Sequence, residues 1–176
     1  GVDVIMADPS FIEERADQLD GLVLTHAHED HLGAVQYLWD RFKCPIYATP
    51  FTAHILARKL AEPGWEREAE VNIVPLQGAF SVGPFELELI TLTHSIPEPN
   101  AVVLRTPLGT VLHTGDWKFA PDPVIGDVSD QAALRALGDE GVLAMVCDST
   151  NVFSPGQSGS EGEILDSMTE VIAGCP

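Results

Sequence analysis

Four metal-competent side chains, His26, His28, Asp30 and His31, fall within six consecutive positions, as H-x-H-x-D-H. His26 and His28 are two residues apart, so in an extended loop both side chains point the same way and can hold one ion. Asp30 and His31 are offset by a turn and can serve a second. Imidazole combined with carboxylate suits Zn²⁺, with Mn²⁺ as a competitor. A lone His is more often a satisfied packing residue, but a cluster this dense reads as a metal site.

A dinuclear site needs further ligands. His94 follows the strand-like run Phe85 to Thr93 and is expected as a ligand. Asp116 ends His113-Thr-Gly-Asp116, where Gly115 allows a tight turn and a carboxylate can bridge two cations. His113 is expected to be buried or to sit behind the ligands, and His54 to be a surface or packing residue. Asp148, in Asp148-Ser-Thr-Asn151, reads equally well as a site acid or as turn chemistry. Cys147 reads as a packing residue.

The elements that must position these groups alternate between strand and helix. Strands are predicted at Val2–Met6, Gly21–Thr25, Pro45–Ala48, Val71–Pro75, Phe85–Thr93, Ala101–Thr106 and Thr110–Thr114. The apolar run Val142–Cys147 predicts a fully buried strand. Ser10 with Glu13, and Ser160 with Glu163, match the S-x-x-E capping box. Leu32, Val35, Leu38, Trp39 and Phe42 predict a helix from about 31 to 42. Thr49 reads as an N-cap with Pro50 in the first turn of a helix to about Leu60. A helix is predicted near 130–138, a loop over 117–130 and a Gly/Ser-rich linker over 154–160. This mixture predicts an α/β fold with helices layered on sheets.

Composition sets bounds. The 176 residues suffice for one domain with a real core. Acids outnumber bases 27 to 9, a net charge of −18, which excludes a module that binds nucleic acid by basic charge alone. The same charge argues against anionic membranes. The longest apolar run, Val142–Cys147, is far too short to span a bilayer, so no membrane partner is expected. Three cysteines without a C-x-x-C pair favour a reducing cytoplasmic location.

Thr25-His-Ala-His-Glu-Asp-His-Leu-Gly33 resembles the signature of the metallo-β-lactamase superfamily. With His94-Ser-Ile-Pro97, His113-Thr-Gly-Asp-Trp-Lys-Phe119 and Asp148-Ser-Thr-Asn151, the chain resembles the bacterial ribonuclease J family of the β-CASP branch. The resemblance runs from about Val2 to Glu163. It implies an αββα sandwich with two zinc ions at one edge. His26, His28 and His94 match the ligands of one metal, Asp30 and His31 those of the other, and Asp116 the bridge. Asp148 matches the first β-CASP motif, an acid that helps organise the site. Asp30, Asp116 and Asp148 are thus the expected catalytic acids.

The resemblance also implies RNA phosphodiester hydrolysis, 5′→3′ from a 5′-monophosphate end of single-stranded RNA and endonucleolytically, by an intact protein that is a homo-oligomer. Family members have additional N-terminal strands, a β-CASP insertion and a last metallo-β-lactamase segment. Residues 1–176 are therefore expected to be an incomplete metallo-β-lactamase domain, with the β-CASP insertion beginning after about 155–176. Alone they are expected to turn over weakly or not at all. Two ions about 3.5–4 Å apart would activate a water and neutralise charge on the phosphoryl oxygens. The competing readings are a hydrolase of a small ester, thioester or lactone on the same fold, and a non-catalytic RNA-binding subunit.

Overall fold

Alternation along the strands decides which layer each residue joins. In the computed structural model, which describes residues 4–64 and 68–175, two sheets lie between helices. The first has the order β1 (Leu22–Val23), β2 (Ile46–Ala48), β3 (Val71–Ile73), all parallel. The second has the order β4 (Ala79–Val82), β5 (Phe85–Thr91), β6 (Asn100–Thr106), β7 (Gly109–His113), β8 (Ala144–Val146). Its strands are antiparallel except for the β7–β8 pair.

Leu22, Leu24, Ile46 and Ala48 face one way and meet helices α3 (Val35–Phe42) and α4 (Pro50–Leu60) through Val35, Trp39, Ala53 and Leu56. Val23 and Tyr47 face the other way and pack between the sheets on Val82, Leu87, Leu89 and Val102. Ile90, Ala101, Val103 and Leu112 point out of the second sheet onto Leu137 of α5 (Gln131–Glu140). Period-2 alternation thus builds three apolar layers, and the expected αββα order of helix, sheet, sheet, helix is what the structure shows.

Several elements differ from expectation. Val4–Met6 is exposed and forms no strand, because no neighbouring strand pairs with it among the described residues; Val2 and Asp3 lie outside those residues. The first capping box is not made: Ser10 opens the four-residue α1 (Ser10–Glu13), and its N–H and hydroxyl both donate to Asp8 instead. The predicted helix over 31–42 is two helices, α2 (Glu29–Leu32) and α3, separated at Gly33–Ala34. Strand β4 was not anticipated; it pairs with β5 through a tight turn in which Gly83 has φ +53°. The second capping box forms at Ser160 and Glu163, opening α6 (Glu161–Ala173).

The largest correction concerns Val142–Cys147. Its core, β8, is an edge strand paired only with β7, and Leu143, Met145 and Val146 are each more than half exposed. An unbroken apolar run normally marks a strand covered on both faces. Here no described residue covers the outer faces, so Cys147 is exposed as well. The apolar positions of α6, Ile164, Leu165, Met168, Val171 and Ile172, are equally open. No described helix is long and apolar enough to cross a membrane.

Candidate metal centre

The centre is assembled where strands of both sheets end. The segment after β1 carries His26 and His28, and α2 carries Asp30 and His31. His94 follows β5, and Asp116 follows β7. Asn100, fully buried at the start of β6, ties these loops together: its side-chain amide donates to the carbonyls of Thr25 and Glu98. Gly115 adopts φ +56°, and a Cβ there would meet the Asn100 carbonyl at 3.0 Å and Thr25 Cβ at 3.1 Å. Only glycine lets the Asp116 turn approach the histidine loop this closely. The loop after His94 is anchored by Glu98, whose carboxylate accepts from Phe51 N–H at 2.8 Å. Glu98 thereby caps α4, a role expected of Thr49, whose side chain makes no cap bond.

Two groups of ligand atoms result. His26, His28, His94 and Asp116 form one; Asp30, His31 and Asp116 form the other; within each, the atoms lie within 4.8 Å of one another. Asp116 belongs to both, and its two oxygens face different ways. Oδ1 is 3.2 Å from His31 Nε2, while Oδ2 is 3.7 Å from His94 Nε2. His31 Nε2 is also 3.6 Å from Asp30 Oδ2. A carboxylate so placed can bridge two cations.

The donor set fits divalent metal. His94 Nε2 and His28 Nδ1 are 3.1 Å apart, close to the roughly 3.3 Å separating two nitrogens on a tetrahedral ion with bonds of about 2.0–2.1 Å. His26 is completely buried, with Nδ1 3.0 Å from the Thr25 hydroxyl and Nε2 without a partner. The tautomer that donates from Nδ1 leaves a buried lone pair on Nε2, as a metal ligand requires. Burial, reinforced by the neighbouring His31, His94 and His28, pushes the His26 pKa down to about 3. Burial and His28 also lower that of His94. Burial thus favours in His26 and His94 the neutral form that binds cations.

Asp148 stands outside both groups. Its carboxylate accepts from the Thr150 N–H at 3.0 Å and the Thr150 hydroxyl at 2.8 Å, bonds that hold its pKa below the usual carboxylate range. Asp148 thus fixes its own turn and at the same time lines a cavity of about 1220 Å³ that runs from His94 and Asp116 to residues 154–161. The expected linker 154–160 is a wall of this cavity. His113 is exposed rather than buried; it pairs with Val102 and so shares the inner face of the second sheet, and its Nδ1 accepts from Gly115 N–H at 3.1 Å. His54 is on the surface, as expected. Glu98 and Asn100 carried no motif signal, because their roles depend on contacts far away in sequence.

Comparison with known proteins agrees with this geometry. Residues 3–169 match the family described as the metallo-beta-lactamase superfamily. The chain is 45% identical over 173 residues to Ribonuclease J of Sinorhizobium meliloti, covering 98% of this chain and 31% of that protein. It is 38% identical over 183 residues to Ribonuclease J of Thermus thermophilus, covering 100% of this chain and 32% of the relative. The chain thus spans about a third of the length of these relatives. In fold it is similar to a protein of unknown function from Enterococcus faecalis, with a TM-score of 0.59 at 17% identity, covering 86% of this chain and 38% of that one. It is also similar to Zn(2+)-bound PqqB from Methylobacterium extorquens, with a TM-score of 0.54 at 12% identity, covering 74% and 46%. With a family match across nearly its whole length and the ligand groups at its sheet ends, the chain belongs to the metallo-β-lactamase superfamily.

Proposed function

We propose that this chain is the metal-holding part of a ribonuclease that hydrolyses RNA phosphodiester bonds. The observation that carries the reading is Asp116, whose two oxygens face His31 and His94, one in each ligand group, beside one large cavity. The similarity to Ribonuclease J proteins supplies the substrate class. His26, His28 and His94 hold one ion, Asp30 and His31 the other, and Asp116 both. Zinc fits this nitrogen-and-oxygen set, with manganese the alternative. Bound there, divalent cations supply charge against the phosphoryl oxygens and activate water for in-line attack.

The chain's own groups do the rest. Asp116 holds the two halves of the centre in register. Asp30, largely exposed at the rim, accepts a proton from the attacking water. Asp148 fixes the turn beside the cavity through Thr150 and so orients the wall facing the substrate. The activity proposed for the intact protein is 5′→3′ exonucleolytic on 5′-monophosphorylated single-stranded RNA, with endonucleolytic cleavage as well. We further propose a cytoplasmic homo-oligomer in which a β-CASP insertion begins after about residues 155–176. The test is a metal-dependent assay of the intact protein on 5′-monophosphorylated RNA. Release of nucleotides from the 5′ end, abolished by a chelator, is expected. Hydrolysis of a small ester or thioester with no RNA cleavage would overturn the reading.

A further inference from the structure

The cavity wall next to the metal centre carries a basic and an aromatic side chain in adjacent positions, Lys118 and Phe119, directly after Asp116. Lys118 is the one Lys or Arg lining that cavity among the described residues, in a chain with three times as many acids as bases. The acids around it are engaged elsewhere. Asp116 faces the histidines. Asp148 is held by Thr150. Asp122 accepts from the Ser160 hydroxyl, and Glu161 from Val124 N–H. The Lys118 ammonium donates to one backbone carbonyl, that of Gly159, at 2.9 Å. An ammonium has three N–H groups, so donors remain for an anion.

The segment is also rigid. Lys118 N–H donates to the carbonyl of Thr93, the residue before His94, at 2.8 Å, and Ala120 N–H donates to Lys118 O at 3.0 Å. Trp117 packs against the outer core, and its ring lies 4.9 Å from that of Phe119 at 52°. Phe119 nonetheless keeps 52% of its surface exposed. An aromatic ring braced from behind and open in front, beside a lone cation, is how proteins hold single-stranded nucleic acid: bases stack on the ring and phosphates meet the charge. Three residues span at most about 11 Å of chain, so Phe119 is within a nucleotide or two of a phosphate held at Asp116.

We infer that Lys118 and Phe119 form a nucleotide-holding platform, the ammonium contacting a phosphate beside the scissile one and the Phe119 ring stacking on a base. This rests on the ribonuclease reading, and it names two binding contacts distinct from the metal ligands. The experiment uses the intact, metal-loaded protein with a single-stranded 5′-monophosphorylated oligoribonucleotide and a twin carrying abasic riboses at the positions flanking the cleavage site. Phe119→Ala should raise KM for the normal oligonucleotide about 5- to 100-fold, leave kcat nearly unchanged, and handle the abasic twin as the unmodified protein does. Phe119→Tyr should restore the low KM. Lys118→Gln should reduce the slope of log KM against log salt by about 0.7, the value for one phosphate contact on a single strand, for both oligonucleotides. Metal content and far-UV circular dichroism check that each variant is folded. If Phe119→Ala discriminates base from abasic as well as the unmodified protein does, or Lys118→Gln leaves the salt slope unchanged, the platform is wrong. An unmodified protein that cleaves no RNA would instead remove the nuclease reading itself.

Discussion

The two halves of the candidate metal centre share one carboxylate and little else. The first half sets three imidazoles around a partly buried carboxylate, with His26 fully enclosed and its second ring nitrogen fixed by Thr25. The second half has one imidazole and two carboxylates, and Asp30 is 76% exposed. Enclosed ligands lose little freedom on binding, and burial already favours the neutral form of His26 and His94. Exposed ligands must be ordered by the cation itself, which costs side-chain entropy. The difference teaches that the two halves of the candidate centre are not equivalent: one is prearranged by the fold, and the other leaves its groups to be ordered by any cation it takes.

The strongest way to break this comparison is Asp116→Ala in the intact protein. Both halves lose a ligand, so RNA hydrolysis should fall more than about 100-fold, beyond the 10–100-fold typical of changes behind the ligands. Circular dichroism should be unchanged, and retained activity would reject the shared-carboxylate assignment. Next in size is Thr25→Val. Loss of the bond to His26 Nδ1 should weaken the first half by about 10- to 100-fold and leave the second unaltered, as read by calorimetric metal titration. Equal weakening of both would show that Thr25 acts on the loop as a whole.

A smaller effect should appear in the unmodified chain. Stepwise metal titration should show the second ion bound at least about tenfold more weakly, or about 1.4 kcal/mol. Two equally tight ions would erase the distinction. The contrast in burial can also be read from the pH dependence of the metal-free chain. His26 titrates near 6.5 when unfolded and near 3 when folded. The unfolded state therefore takes up the proton first, and stability present above about pH 6.5 is lost as pH falls toward 3. Urea denaturation across that range should show the decline, and His26→Gln should flatten it. An unchanged slope in that variant would mean that other groups carry the acid sensitivity.

Burial outside the centre shows how local patterns succeed and fail. The alternation of Phe85, Leu87 and Leu89 with Glu86 and Glu88 predicts a half-exposed strand; the two leucines are buried between the sheets and Glu86 is exposed, but Phe85, at the start of the strand, is exposed as well. The run Val142–Cys147 carried an equally firm pattern and failed, since burial also needs a covering layer. Glu98 shows the same limit at a helix end. Thr49 has the right type and position for a cap, yet a carboxylate 47 residues away in sequence makes the bond to Phe51.

Residue type and short spacing alone pointed to the ligand chemistry, because H-x-H-x-D-H gathers imidazole and carboxylate donors in one short stretch whatever surrounds it. They also determined the layered α/β character, because strand alternation and helical periodicity are local properties. Only the tertiary structure decided that Asp116 turns one oxygen to each half, that His26 is buried while Asp30 is open to solvent, and that Asp148 accepts from Thr150 beside the cavity. Those outcomes depend on how loops from separate strands approach through Asn100 and Gly115. Such distances and degrees of desolvation are set between segments remote in sequence, where no local pattern can specify them.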